Sequence, residues 1–168
     1  MSRIAYTAAQ VFDGEKLTGN IAVVVEGGLV QELVAAHGLA NDVTVHDLGN
    51  VILSPGLVDV QVNGGGGALF NDSQTVETLA VIARAHQRFG VTGFMATLIS
   101  DERDKAVRAI AAVDEAIRAG VDGVLGLHLE GPWLSEPRRG VHPAKFLREL
   151  DAEDLKVLTR RQPFPLMV

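Results

Sequence analysis

From Pro55-Gly56 onward the chain alternates short strand-forming runs with amphipathic helical stretches, and glycines punctuate the joins. Leu57–Val62 reads as a strand stopped by Asn63 and the run Gly64-Gly65-Gly66-Gly67. Asp72 or Ser73 can cap a helix that runs to about Phe89 and closes on Gly90. Val91–Ile99 is a second strand, followed by a helix from about Asp101 to Ala119. In that helix Ala106, Ile110, Val113 and Ile117 recur at helical spacing and form one apolar stripe. Gly123–Leu129 is a third strand, and a long polar loop follows. Two short helical stretches (about Pro143–Glu149 and Ala152–Arg161) then lead to the apolar run Pro165–Val168. Strands alternating with helices demand right-handed crossovers and therefore a parallel sheet. Such units fit the opening of a (β/α)8 barrel or part of a doubly wound sheet. Barrel strands carry inward polar groups at their C-terminal ends, and two strands here do so, which favours the barrel.

The residues before Pro55 have a different texture. Arg3–Val11 carries β-branched and aromatic residues into the turn Phe12-Asp13-Gly14. Asn20–Glu26 is a strand stopped by Gly27-Gly28, with Leu29–Val34 as its hairpin partner, and Val43–Leu48 alternates before Gly49-Asn50. The expected layout is a small β-sandwich module over residues 1–53, then residues 54–168 as three βα units and the start of a fourth strand. The fold class expected is α/β, a TIM-like barrel left incomplete within these 168 residues.

A net charge of −6 argues against nonspecific nucleic-acid binding, which needs clustered Lys and Arg. The absence of cysteine excludes disulfides and thiolate metal sites. No apolar run approaches the ~20 residues of a membrane span, and the first residues lack a signal-peptide layout, so a cytoplasmic protein without membrane contact is expected.

On the first barrel-type strand Val58, Val60 and Val62 share one face, suited to packing against helices. Asp59, Gln61 and Asn63 share the other; Asp59 serves equally well as a loop-orienting or a functional group, whereas Gln61 and Asn63 sit at the strand end before the glycines. On the third strand Leu125, Leu127 and Leu129 face one way, and Gly126, His128 and Glu130 the other. An imidazole and a carboxylate two residues apart suit either a metal or a buried hydrogen-bonded pair, and the cost of burying a lone carboxylate favours a cation at Glu130. The glycine run lacks the layout of a phosphate loop and suits close backbone approach to a ligand or metal. In the loop after Glu130, Arg138 and Arg139 read as solvated, and His142 as a substrate contact. His37, His46 and His86 read as structural or surface residues without partners.

Two segments carry a family resemblance. Leu53–Gly67 with Phe70-Asn71-Asp72, and His128-Leu129-Glu130-Gly131-Pro132 followed by Gly140-Val141-His142, resemble the signatures of N-acetylglucosamine-6-phosphate deacetylases of the amidohydrolase superfamily. Most relatives in that superfamily carry His-x-His where Gln61 and Asn63 stand, a departure that matches the deacetylases and implies one principal metal site. The resemblance implies hydrolysis of an N-acetyl amide to glucosamine 6-phosphate and acetate. Glu130 would bind a divalent metal, Zn²⁺ by the family's habit; Gln61 would lie near the metal or its water, and His142, with Asn63, would meet the amino-sugar phosphate. It assigns no catalytic residue to this chain: the family's catalytic aspartate and two histidine ligands lie on later strands. The chain therefore reads as the N-terminal part of such an enzyme, inactive alone and homodimeric at full length. The alternatives are a noncatalytic half-barrel subunit or an amidohydrolase acting on a related amide.

Overall fold

A computed structural model describes residues 3–168, in two units that divide between Pro55 and Gly56. In the first unit β1 (Arg3–Thr7) pairs antiparallel with β4 (Ile21–Glu26) and parallel with β6 (Thr44–Asp47). The hairpin of β4 with β5 (Leu29–Ala35) turns on Gly27 and Gly28, both at positive φ, as expected from their sequence. Ala5, Ala22 and Val24 form this sheet's buried centre.

The run Arg3–Val11 is not one strand. It breaks at Ala8-Ala9, and β2 (Gln10–Phe12) joins a second sheet, antiparallel to β3 (Leu17–Thr18) and parallel to β7 (Ile52–Leu53). The break follows from a change of partner: Leu48 N–H binds Thr7 O, whereas Ala9 N–H turns to Gly49 O and Gln10 N–H to Val51 O. A continuous β-forming composition does not register such a switch.

The second unit is built on four parallel strands in sequential order: β8 (Leu57–Val62), β11 (Val91–Ile99), β12 (Val124–Glu130) and β13 (Leu166–Met167). A small hairpin of β9 (Gly64–Gly65) and β10 (Ala68–Leu69) follows β8. Helices α1 (Val76–Gln87) and α2 (Arg103–Arg118) are the crossovers, and α3 (Ala152–Thr159) precedes β13. The order never reverses, so the sheet is wound in one direction and has no switch point of the doubly wound kind. The described strands do not close into a barrel.

The core lies between the helices and one sheet face. Leu79, Ile82 and Ala83 of α1 and Ala109, Ala112, Val113 and Ala116 of α2 meet Phe94, Ala96, Leu98, Leu127 and Leu129. Burial of each large apolar side chain here contributes roughly 1.5–3 kcal/mol. The buried face of α2 is thus largely alanine, which lets the helix approach the sheet closely. Of the expected stripe, Val113 is buried, Ala106 and Ile110 flank the core, and Ile117 is exposed.

Helix α1 is capped by Thr75, not Asp72 or Ser73: Thr75 Oγ1 accepts from Thr78 N–H at 3.2 Å. Asp72 and Ser73 are occupied in a turn back to Leu69 O. Gly90, at φ +84°, closes the helix as expected. The stretch Pro143–Glu149 forms only a short 3₁₀ turn at Ala144–Phe146, because the chain becomes extended at Leu147 and Arg148 N–H reaches back to Pro132 O.

Two expectations about strand faces change. Val62 is buried, but Val58 and Val60 are 61% and 53% exposed, since β8 is an edge strand paired only with β11 and no described element covers them. On β12 a register shift pairs Phe94 with Val124 and Met95 with Gly126. The extra residue, Leu125, swings to the opposite face from Leu127 and Leu129: it lies over Gly93 and is 41% exposed.

Candidate functional site

The end of β12 and the end of β8 bring Glu130 and Gln61 together. Gln61 Nε2 donates to Glu130 Oε2 at 2.9 Å. The third member, His142, arrives from the loop after β12, with Nε2 at 3.4 Å from Glu130 Oε1. His142 is 4% exposed, and its ring is packed beneath the end of β11. Its main chain is tied as well: His142 N–H donates to Arg139 O at 3.1 Å, and Arg139 Nη1 donates to His142 O at 2.6 Å. Arg139 is therefore a loop brace rather than a solvated side chain.

Gly131 follows Glu130 with φ +88°, and a side chain there would collide with Ser100 Oγ. Only glycine permits both the backbone conformation and the close passage of Ser100. Ser100 in turn holds His142: its Oγ lies 2.7 Å from Nδ1, and its N–H donates to Nδ1 at 3.3 Å.

The remaining sequence candidates take other places. Asp59 Oδ1 accepts Gln61 N–H at 3.0 Å, so Asp59 orients the strand that presents Gln61. Asn63 contributes its backbone, accepting Phe70 N–H at 2.9 Å, and its side chain makes no hydrogen bond to Gln61, Glu130 or His142. His128 shares the Glu130 face, with Nδ1 at 3.4 Å from Thr97 Oγ1. His86, expected to lack a partner, contacts Gly64 O through Nε2 at 2.9 Å and stacks on Phe94; His46 stacks on Tyr6. The glycine run makes its close approaches within the protein: Gly64 passes Ala68 O, Gly65 passes His86, and Gly66 passes Val81.

Sequence reasoning missed two polar clusters that shape the rim. Asn71 Oδ1 accepts Ile99 N–H at 3.0 Å, and its Nδ2 donates to Asp101 Oδ2 at 3.1 Å, fastening the β10–α1 turn to the end of β11. Asp154 is 2% exposed and receives Trp133 Nε1 at 2.9 Å, Arg103 Nε at 2.9 Å and Arg148 Nη2 at 2.8 Å. Burial pushes the Asp154 carboxyl up, but hydrogen bonds from Arg148, Trp133 and Arg103 outweigh it and hold the group well below the usual carboxylate range. The sole sequence signal was Asp151, the α3 cap, whose Oδ1 accepts Asp154 N–H at 2.8 Å. Nothing local foretold the arginines, which come from α2 and the loop.

Among the described residues, no group of three or more His, Cys, Asp or Glu side chains is clustered to hold a metal ion. Glu130 is nonetheless a fitting single donor: each of its oxygens has one protein partner and keeps lone-pair capacity for a hard cation. The donors present fit one side of a metal centre. Among the described residues no helix is long and apolar enough to cross a membrane.

No family model matches the chain. Among curated proteins, the N-acetylgalactosamine-6-phosphate deacetylase of Shewanella sp. is 36% identical over 156 residues, covering 91% of this chain and 39% of that protein. The N-acetylglucosamine-6-phosphate deacetylase of Haemophilus influenzae is 32% identical over 134 residues, covering 80% of this chain and 35% of that protein. Among solved structures, the N-acetylglucosamine-6-phosphate deacetylase of Pasteurella multocida superposes with a TM-score of 0.86 at 27% identity, covering 93% of this chain and 41% of that one. The chain thus spans about two fifths of the length of the curated relatives it matches.

Proposed function

We propose that this chain belongs to the N-acetylglucosamine-6-phosphate deacetylase family, whose members it matches over about two fifths of their length, and supplies one side of a site that hydrolyses the N-acetyl amide of an amino-sugar 6-phosphate. The observation that carries the reading is the convergence of Gln61 and Glu130, from the C-terminal ends of parallel strands, with His142 from the loop that follows, the place where (β/α)8 enzymes build their sites. In this reading residues 54–168 are the opening of such a barrel, and the residues before them belong to a small β-sandwich domain.

Glu130 would hold a divalent metal, read as Zn²⁺, and Gln61 fixes the rotamer of that carboxylate by donating to Oε2. A metal held there would supply Lewis-acid polarisation of the amide carbonyl and activation of the attacking water. His142 offers Nε2 toward the sugar phosphate, and Asn63 lies at the rim of the same strand end. The residue that takes the water's proton is not assigned among these side chains. The reading carries with it a cytoplasmic enzyme, a homodimer in its complete form, and no nucleic-acid or membrane partner.

Acetate release from N-acetylglucosamine 6-phosphate and N-acetylgalactosamine 6-phosphate tests this reading and separates the two sugars named for the relatives. The 168-residue chain with Zn²⁺ is expected to be inactive alone. Mixed with the C-terminal portion of a matched relative, it is expected to restore turnover that Glu130→Gln abolishes. Turnover insensitive to Glu130→Gln would overturn the assignment.

A further inference from the structure

We infer that Ser100 is a positioning residue that fixes His142 in the tautomer protonated on Nε2, so that the imidazole presents one hydrogen-bond donor, and no acceptor, to the site. The inference rests on the direction of one bond. Ser100 N–H donates to His142 Nδ1 at 3.3 Å, and a backbone amide can only donate. Nδ1 must then carry its lone pair and no proton. The Ser100 hydroxyl, 2.7 Å from the same nitrogen, could have taken either role, and the amide beside it settles that role as donor.

The surroundings leave the ring little freedom to choose otherwise. Ser100 is 2% exposed and lies just past the end of β11, so water does not compete for Nδ1. The hydroxyl occupies space that exists because residue 131 is glycine. Arg139 secures the His142 main chain through its own carbonyl and its guanidinium. With Nδ1 occupied, the proton resides on Nε2, the atom that faces Glu130 Oε1 at 3.4 Å.

A histidine held this way selects for acceptors. It can bind a carbonyl, hydroxyl or phosphoryl oxygen of a ligand and will reject a ligand N–H at the same place. That consequence for substrate rests on the deacetylase reading; the tautomer itself does not.

The test uses the 168-residue chain with ¹⁵N-labelled histidine and long-range ¹H–¹⁵N correlation spectra, in which protonated and unprotonated ring nitrogens resonate far apart. The His142 signals are assigned by their loss in His142→Gln. The expected result is an unprotonated Nδ1 and a protonated Nε2 in the unmodified chain. Ser100→Ala removes the hydroxyl's bond and keeps the amide's, so it should move the Nδ1 signal part of the way toward that of an unbonded imine-type nitrogen. A wild-type ring protonated on Nδ1, or an Nδ1 signal unmoved by Ser100→Ala in a folded protein, would overturn the inference. Should Ser100→Ala fail to fold, the wild-type spectrum alone still decides the tautomer. The readout needs neither metal, substrate nor turnover, so a failed deacetylation assay leaves it standing. A wrong tautomer in turn leaves the deacetylase reading intact.

Discussion

Gln61 and Glu130 belong to strands that are not neighbours in the sheet, yet their side chains meet at 2.9 Å across the intervening β11. The bond ties the first and third strands of the parallel sheet at their C-terminal ends. A hydrogen bond to a charged group contributes about 1.5–3 kcal/mol when well shielded. Glu130 is part-exposed and keeps His142, so Gln61→Ala is expected to lower unfolding free energy by only about 1 kcal/mol. Gln61→Glu, which sets two carboxylates face to face, should cost more. Urea titrations of both variants check the order, and equal midpoints for the two would contradict it.

Asp154 gathers Trp133, Arg103 and Arg148 from three segments. Asp154→Asn removes the charge and leaves two guanidinium groups short of a partner. Because both arginines are partly exposed, the expected loss is on the order of 2–4 kcal/mol rather than the full cost of a broken buried pair. Trp133 is the sole tryptophan, so its emission reports the same event and should shift toward the red as its Nε1 partner weakens. A variant with wild-type stability and emission would show that the cluster does not hold the loop.

The same carboxylate predicts an acid limit. Its folded pKa lies below its unfolded one, so folding favours the deprotonated form. The associated stability is complete above the ordinary aspartate value of about 3.9 and drains away as pH falls from there through the folded value. Asp101 shifts in the same direction: burial opposes the shift, and hydrogen bonds from Lys105, Glu102 N–H and Asn71 outweigh it. Unfolding free energies measured at about pH 7, 4 and 3 should fall across the last step, and fall less steeply in Asp154→Asn. Parallel slopes for the two proteins would rule Asp154 out as a source of acid sensitivity.

Gly131→Ala combines a positive φ with a collision against Ser100 Oγ. The backbone component alone is worth about 1–3 kcal/mol. The expected outcome is destabilisation near the upper end of that range, together with displaced His142 ring signals. Thermal melting and histidine NMR read the two effects separately, and a stable variant with unchanged ring signals would remove Gly131 from the site's support.

Much of the second unit was legible because apolar runs and glycine stops mark its strands plainly, and Val91–Ile99 matches to the residue. The hairpin at Gly27-Gly28 was equally visible. What escaped had no local signature. Asp72, Ser73 and Thr75 are all good caps, and the turn to Leu69 decides among them. Strict alternation along β12 hid the extra residue that turns Leu125 outward. Gln61 and Glu130 could be nominated because of their residue types and strand-end positions, and His142 because it sits in the long loop that follows, but Ser100 is an ordinary serine after an apolar strand. Its importance arises only when the loop bearing His142 folds over it, 42 residues later.

The order β8, β11, β12, β13 also bears on how the unit comes into being. Each of these strands pairs with its predecessor in the sheet, so the ladders β8–β11, β11–β12 and β12–β13 form in the order in which the chain is made. A polypeptide leaving the ribosome from its N-terminus can add each strand to a template already standing, at synthesis rates of about 5–20 residues per second. Such a sheet can be assembled by accretion during translation, with β8 as its seed.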